Sequence, residues 1–180
     1  ALMAIDNGPQ QRSSSLFGMH SREEVLSKYF NIKPLFAPQA ISAPEDLLNV
    51  EMFYSALPHT ENVRAVFNSM HRASIAPNDA QDMFDAGATI CATGIDLAVP
   101  AIRNMTEEVR SHLRYRGILS ANAYCSPDGA GFSEHYDPRV VTVIQLVGTK
   151  GWEFSNAPFE LNPLRVGYDN HTRETLLREH

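Results

Sequence analysis

The chain has 180 residues and a mass of 20.0 kDa, enough for one domain with a real core and too little for a second full one. Its 15 basic and 21 acidic side chains give a net charge of -6, which argues against a surface built to neutralise phosphates, so nucleic acid is not an expected direct partner. No apolar run reaches bilayer length and the first residues lack a basic start followed by an apolar block, so a soluble, cytoplasmic protein with no membrane partner is expected.

Residues 1–20 are polar and without helical or strand periodicity, and read as a flexible leader. Ser21 with Glu24 forms a capping-box pattern ahead of Val25, Leu26, Tyr29 and Phe30, which predicts a short helix. Ser42 with Glu45 repeats the pattern before Leu47, Leu48, Met52 and Phe53, with Pro58 as the stop. Between the two, NIKPLFAP reads as extended, because a residue before proline is pushed out of the α region.

NVRAVFNSM (62–70) fits either a strand or a short helix. Asn78 with Gln81 predicts a helix closed by Gly87, and ATICAT (88–93) predicts a buried strand. From Leu97 to Arg116 the spacing of Ile102, Met105, Val109 and Leu113 predicts a helix stopped by Gly117. Cys91 and Cys125 lie far apart in strand-like segments without CxxC spacing, which reads as buried thiols in a reducing compartment.

After Gly117 the pattern changes. ILSANAYC (118–125) and RVVTVIQLVG (139–148) are strand-like, with the turn SPDGAG between them. Helices followed by strands predict an α+β fold, with N-terminal helices packed on an antiparallel sheet or barrel. His135 and Asp137 stand two apart where the turn re-enters the sheet, and in an extended chain that spacing places both side chains on one face, with Tyr136 turned into packing. An imidazole and a carboxylate side by side supply two ligands of the facial triad that binds non-haem Fe(II). An HxD alone is weak, and a surface His beside a turn Asp is its bland reading. Lys150 lies fifteen residues after His135; a turn or bulge at Gly148 is required for both to face one cavity, where the ammonium would suit a carboxylate. By residue type alone Lys150 is a solvated hairpin lysine.

The segment ANAYCSPDGAGFSEHYDPRVVTVIQLVGTKGWEFS resembles the JmjC-domain, cupin-like Fe(II) and 2-oxoglutarate-dependent oxygenases, in particular the ribosomal-protein hydroxylase group. The landmarks are Asn122, Tyr124, Pro127, Gly131, Phe132, His135, Asp137, Gln145, Leu146, Gly148, Lys150 and Trp152, and the likeness covers residues 21–165. It implies a double-stranded β-helix (jelly-roll) core, with His135 and Asp137 as Fe(II) ligands and Lys150 pairing with the distal carboxylate of 2-oxoglutarate. Tyr124 and Asn122 would line the co-substrate pocket, and Gln145 and Trp152 would support the core. The activity implied is hydroxylation of a protein or peptide side chain. Alternatives are a hydroxylase of a small amino-acid-derived metabolite, a metal-binding cupin without co-substrate, or a non-catalytic cupin-like interaction module.

This sequence departs from the family pattern in one respect. The later stretch that carries a distal histidine, reading like GDxLYxPxGxxH, has no counterpart, so the C-terminal strands of the jelly roll read as missing and the domain over 21–165 as incomplete. Residues 166–180 read as a charged helical tail capped by Asn170, and within it His171 is the remaining candidate for a third metal ligand, though a tail histidine is more often a surface residue. The departure fits a fragment, a shortened protein completed by His171 or by a partner chain such as a second copy in a homodimer, or a relative that has lost its metal.

Overall fold

The computed structural model describes residues 16–18, 20–68, 71–133 and 135–154, and the backbone of 167 and 168. The chain divides at residues 43 and 44 into two compact units. In the first, α1 (Arg22–Glu24) runs without a break into a π-helical turn, Val25–Tyr29. The Ser21 hydroxyl accepts a hydrogen bond from the Glu24 amide at 3.1 Å, as the capping pattern predicts, and Lys28 pairs with the Glu24 carboxylate at 3.1 Å. The wide turn closes where the Phe30 amide reaches back five residues to the Val25 carbonyl.

The second unit begins with α2 (Pro44–Leu47) and α3 (Val50–Ala56), two short helices where the sequence predicts one. Asn49 causes the break. Its backbone is extended and its side chain accepts from the Met52 amide at 2.9 Å, so Asn49, and not Ser42, caps the helix that carries Phe53. A single 3-10 turn over Leu57–His59, containing Pro58, follows as the predicted stop.

The ambiguous segment after it is a strand, β1 (Asn62–Phe67). It pairs antiparallel with β2 (His71–Ser74) on one side and β3 (Thr89–Thr93) on the other, and β4 (Asn122–Cys125) adds to β3, giving the order β2-β1-β3-β4. Between β2 and β3, a 3-10 turn at Pro77–Asp79 leads into α4 (Ala80–Asp85), whose start has no side-chain cap from Asn78; Gly87, at φ +97, closes it in the left-handed conformation expected.

The helix predicted from Leu97 to Arg116 is also two pieces, α5 (Ile95–Ala98) and α6 (Pro100–Leu113), because Pro100 cannot donate an intrahelical hydrogen bond and Val99 before it is extended. Arg114, at φ +52, ends α6 three residues before the predicted stop at Gly117.

One face of the four-stranded sheet is the core. Val63, Ala65, Ile90 and Ala92 point into it and meet Phe53, Leu57, Ala80, Ile95 and Ile102 from the helices. The strand alternation therefore sends Arg64, Cys91 and Tyr124, which are directly opposite one another across β1, β3 and β4, to the other face. Among the described residues no helix is long and apolar enough to cross a membrane.

The stretch 139–148, predicted as a strand, departs most from expectation. It forms no ladder among the described residues, and Val140, Val141, Val143 and Val147 are each about half exposed. Its β-branched content favours a strand, but a strand also needs a neighbour to take its amides and carbonyls. Only Leu146 of this run packs against the core. The mixed helix and antiparallel-sheet class holds as expected.

Candidate metal and co-substrate site

Four features of the chain deliver side chains to the polar face of the sheet. The first is the start of β4. Gly94 turns the chain after β3 at φ +71, where a Cβ would stand 2.9 Å from Cγ of Glu61, and its amide donates to the Asn122 side-chain oxygen at 3.2 Å. Asp96 accepts from the Ala121 amide at 2.9 Å. Asn122 is thus a strut that fixes β4 to the α5 turn.

The second is the turn after β4, which Thr89 anchors by donating to the Ser126 hydroxyl at 3.0 Å. Gly129, at φ +76, completes the turn, and the chain comes back with Phe132 set edge-on to Tyr124, ring centroids 5.6 Å apart. The third is the short bridge β5 (His135–Tyr136), which pairs with β6 (Gly167–Tyr168), so a strand contact opens the segment predicted as a charged helical tail.

His135 Nδ1 lies 2.8 Å from the Ser133 carbonyl oxygen, which orients the ring, and its Nε2 lies 3.9 Å from Oδ2 of Asp137. Both side chains are about a third exposed, at 30% and 32%. Tyr136 is half-buried, consistent with a packing role. Two ligands bound cis to one octahedral ion at ordinary bond lengths stand about 3 Å apart and trans ligands about 4 Å. A small side-chain rotation therefore brings this nitrogen and oxygen onto one cation, and the donor pair fits a ferrous ion at two of its positions. Among the described residues no third His, Cys, Asp or Glu joins them. His171 lies outside the described residues.

The fourth feature is the left-handed turn at Gly148, φ +70, which redirects the chain so that Lys150 returns to the site, as the spacing requires. The half-buried ammonium lies 5.5 Å from the centroid of Phe132 and 5.5 Å from that of Trp152. Two ring faces hold it in place without neutralising it. Trp152 and Gln145 are corrections to the expected core-support roles. Trp152 is 57% exposed and serves as one side of this clamp, while Gln145 is exposed and donates to the Val147 carbonyl at 2.8 Å. An unladdered segment cannot bury both, whatever its composition.

Beneath these groups, Cys91 is a buried thiol with its pKa pushed up to about 11, chiefly by burial, against the opposing pull of Arg64, Arg72 and Lys150. It is therefore inert as a nucleophile. Cys125, one register pair away, faces the core side and is half-buried; its thiol is also raised by burial, with the Tyr54 hydroxyl beside it. The Tyr124 hydroxyl is raised by desolvation first and by Cys91 next, so it is a neutral donor at any physiological pH.

Cys91 carries a pH prediction. Its folded pKa lies above the ordinary 9.0, so the unfolded chain loses this proton first, and stability present below pH 9 falls as pH rises towards 11. Tyr54, raised by burial to about 12, extends the loss above pH 10. Urea unfolding at stepped pH should show this decline, and Cys91→Ala should flatten its first part; an unchanged slope in the variant would rule out the thiol as its source.

Phe132, as the ring linking Tyr124, His135 and Lys150, and Arg64 were not assigned roles from sequence. The signal for Arg64 is a charge in the middle of the apolar run NVRAVF. Residues 99–175 match the JmjC domain family, a segment that contains Tyr124, Phe132, His135, Asp137 and Lys150, while β1, β3 and the Gly94 turn with Asp96 precede it. A curated relative is the uncharacterized protein YxbC of Bacillus subtilis (strain 168), 24% identical over 169 residues. That alignment covers 84% of this chain and 50% of the relative, so the chain spans about half the length of the curated relative it matches.

Proposed function

We propose that the chain belongs to an Fe(II)/2-oxoglutarate-dependent hydroxylase of a protein or peptide side chain, built on a cupin-like jelly roll. The observation that carries this reading is the placement of His135 Nε2 and Asp137 Oδ2 within 3.9 Å of each other, beside an ammonium held by two rings. When bound, iron with 2-oxoglutarate supplies O2-dependent C–H oxidation, releasing succinate and CO2.

His135 and Asp137 would hold the metal through an imidazole nitrogen and a carboxylate oxygen. The Ser133 carbonyl, 2.8 Å from Nδ1, keeps that nitrogen protonated and so presents Nε2 as the neutral, metal-binding one. Lys150 would take the distal carboxylate of the co-substrate, and Tyr124 would donate to the same ligand. Phe132 and Trp152 exclude water from the ammonium and so strengthen its pairing.

The test measures Fe(II) stoichiometry after anaerobic reconstitution, together with succinate formation from 2-oxoglutarate and O2. One iron per chain with turnover is expected; no iron uptake would remove the reading. Lys150→Ala separates the oxygenase from a metal-only cupin. Loss of one charge-assisted contact should weaken 2-oxoglutarate binding by about 10–100-fold and leave iron uptake intact.

A further inference from the structure

The cationic side of the sheet is larger than co-substrate binding requires. Arg64 sits in the middle of β1, between Val63 and Ala65, both buried on the core side, so its side chain crosses to the face that bears Tyr124. In register it stands opposite Cys91, and Cys91 stands opposite Tyr124. At ordinary strand spacing this puts the Arg64 backbone about 10 Å from that of Tyr124, within reach of a ligand lying over Cys91.

The Arg64 Nε is buried and has no hydrogen-bond partner among the described residues. Among those residues, no carboxylate forms an ion pair with either Arg64 or Lys150. A buried guanidinium nitrogen left unbonded is costly, and such groups are ordinarily matched by a carboxylate or phosphate. Cys91, the residue directly between Arg64 and Tyr124, offers a neutral thiol and no counter-charge. A groove of about 250 Å³ lined by Val66, Asp128 and Gly131 among others lies along β1 from Arg64, without including the arginine.

We propose that Arg64 binds a carboxylate of the substrate, so that the hydroxylated molecule is an acid: either an acidic side chain of a peptide or a small amino-acid-derived acid. This rests on the oxygenase reading for the reaction, but not for the binding. The net charge of -6 does not oppose it, because net charge governs encounter and solubility while a local pair of unmatched cations governs the pocket. Arg64 and Lys150 then divide the work, one holding the substrate and the other the co-substrate.

The test titrates two probes into the full chain by calorimetry, with Fe(II) and saturating 2-oxoglutarate present under anaerobic conditions. The probes are N-acetylglutamate amide and a short glutamate-containing peptide blocked at both ends. Saturable binding of at least one probe is expected, weakened at least about tenfold by Arg64→Gln and less by Arg64→Lys, and the probe that binds identifies the source of the carboxylate. Affinity for 2-oxoglutarate should stay within about twofold in Arg64→Gln, since that contact belongs to Lys150. If Arg64→Gln fails to fold, protection of Arg64 from phenylglyoxal by the probe, read by mass spectrometry on the wild-type chain, decides in its place. No binding of either probe, equal binding by Arg64→Gln, or no protection overturns the proposal. Failure of the wild type to bind 2-oxoglutarate would sink the oxygenase reading instead, and the same Arg64 comparison would then be made without co-substrate.

Discussion

Alanine at His135 or at Asp137 is expected to abolish iron-dependent turnover while leaving the fold intact. Groups that merely orient a metal ligand are worth about 10–100-fold, so removing a ligand itself should cost at least about a hundredfold in succinate formation. The two donors are only part-buried, lie at or just after a two-residue bridge and do not belong to the core cluster, so the stability of either variant should stay within about 0.5 kcal/mol of wild type. Iron content, succinate yield and a urea unfolding curve on the same samples check both halves. A variant that retains full turnover would show that the pair is not the metal site, and one that unfolds would show that the pair is structural.

The opposite split is expected for Ile90→Ala. Ile90 is completely buried at the centre of β3, paired with Ala65 on one side and Cys125 on the other, and it packs on the helix-covered face. Deleting its outer methyl and ethyl carbons removes transfer energy and leaves a cavity that neighbouring strands cannot easily close, a cost of about 2–5 kcal/mol. Because β3 also positions Cys91 under the site and receives β4, the loss should appear as weaker 2-oxoglutarate binding only at temperatures where the variant begins to unfold. A loss of unfolding free energy smaller than about 1 kcal/mol would mean that the sheet is not the stabilising centre of this unit.

Much of the local structure was legible. The capping pattern at Ser21, the left-handed stop at Gly87 and the buried strand around Cys91 follow from short-range rules that depend on neighbouring residues alone. The misplaced boundaries follow from competition between signals of similar strength. Asn49 outcompetes Ser42 as a cap because it is followed by the segment that can bury Phe53, and Pro100 splits a helix whose apolar spacing runs through it. The valines of 139–148 show the limit of composition, since β-branched residues state a preference that only a pairing strand can satisfy.

The sequence by itself determined the donor types and their order along the chain: an imidazole and a carboxylate two residues apart, a turn glycine at 148, and a lysine just after it. It also determined that those landmarks resemble the family that residues 99–175 match. Only the tertiary structure decided that Trp152 clamps the Lys150 ammonium where a core role was expected, that Asn122 is a strut for the Gly94 turn, and that Arg64 shares a face with Tyr124. These depend on the register between β1, β3 and β4, strands separated by dozens of residues, and register is fixed by which face can bury its apolar side chains against the helices.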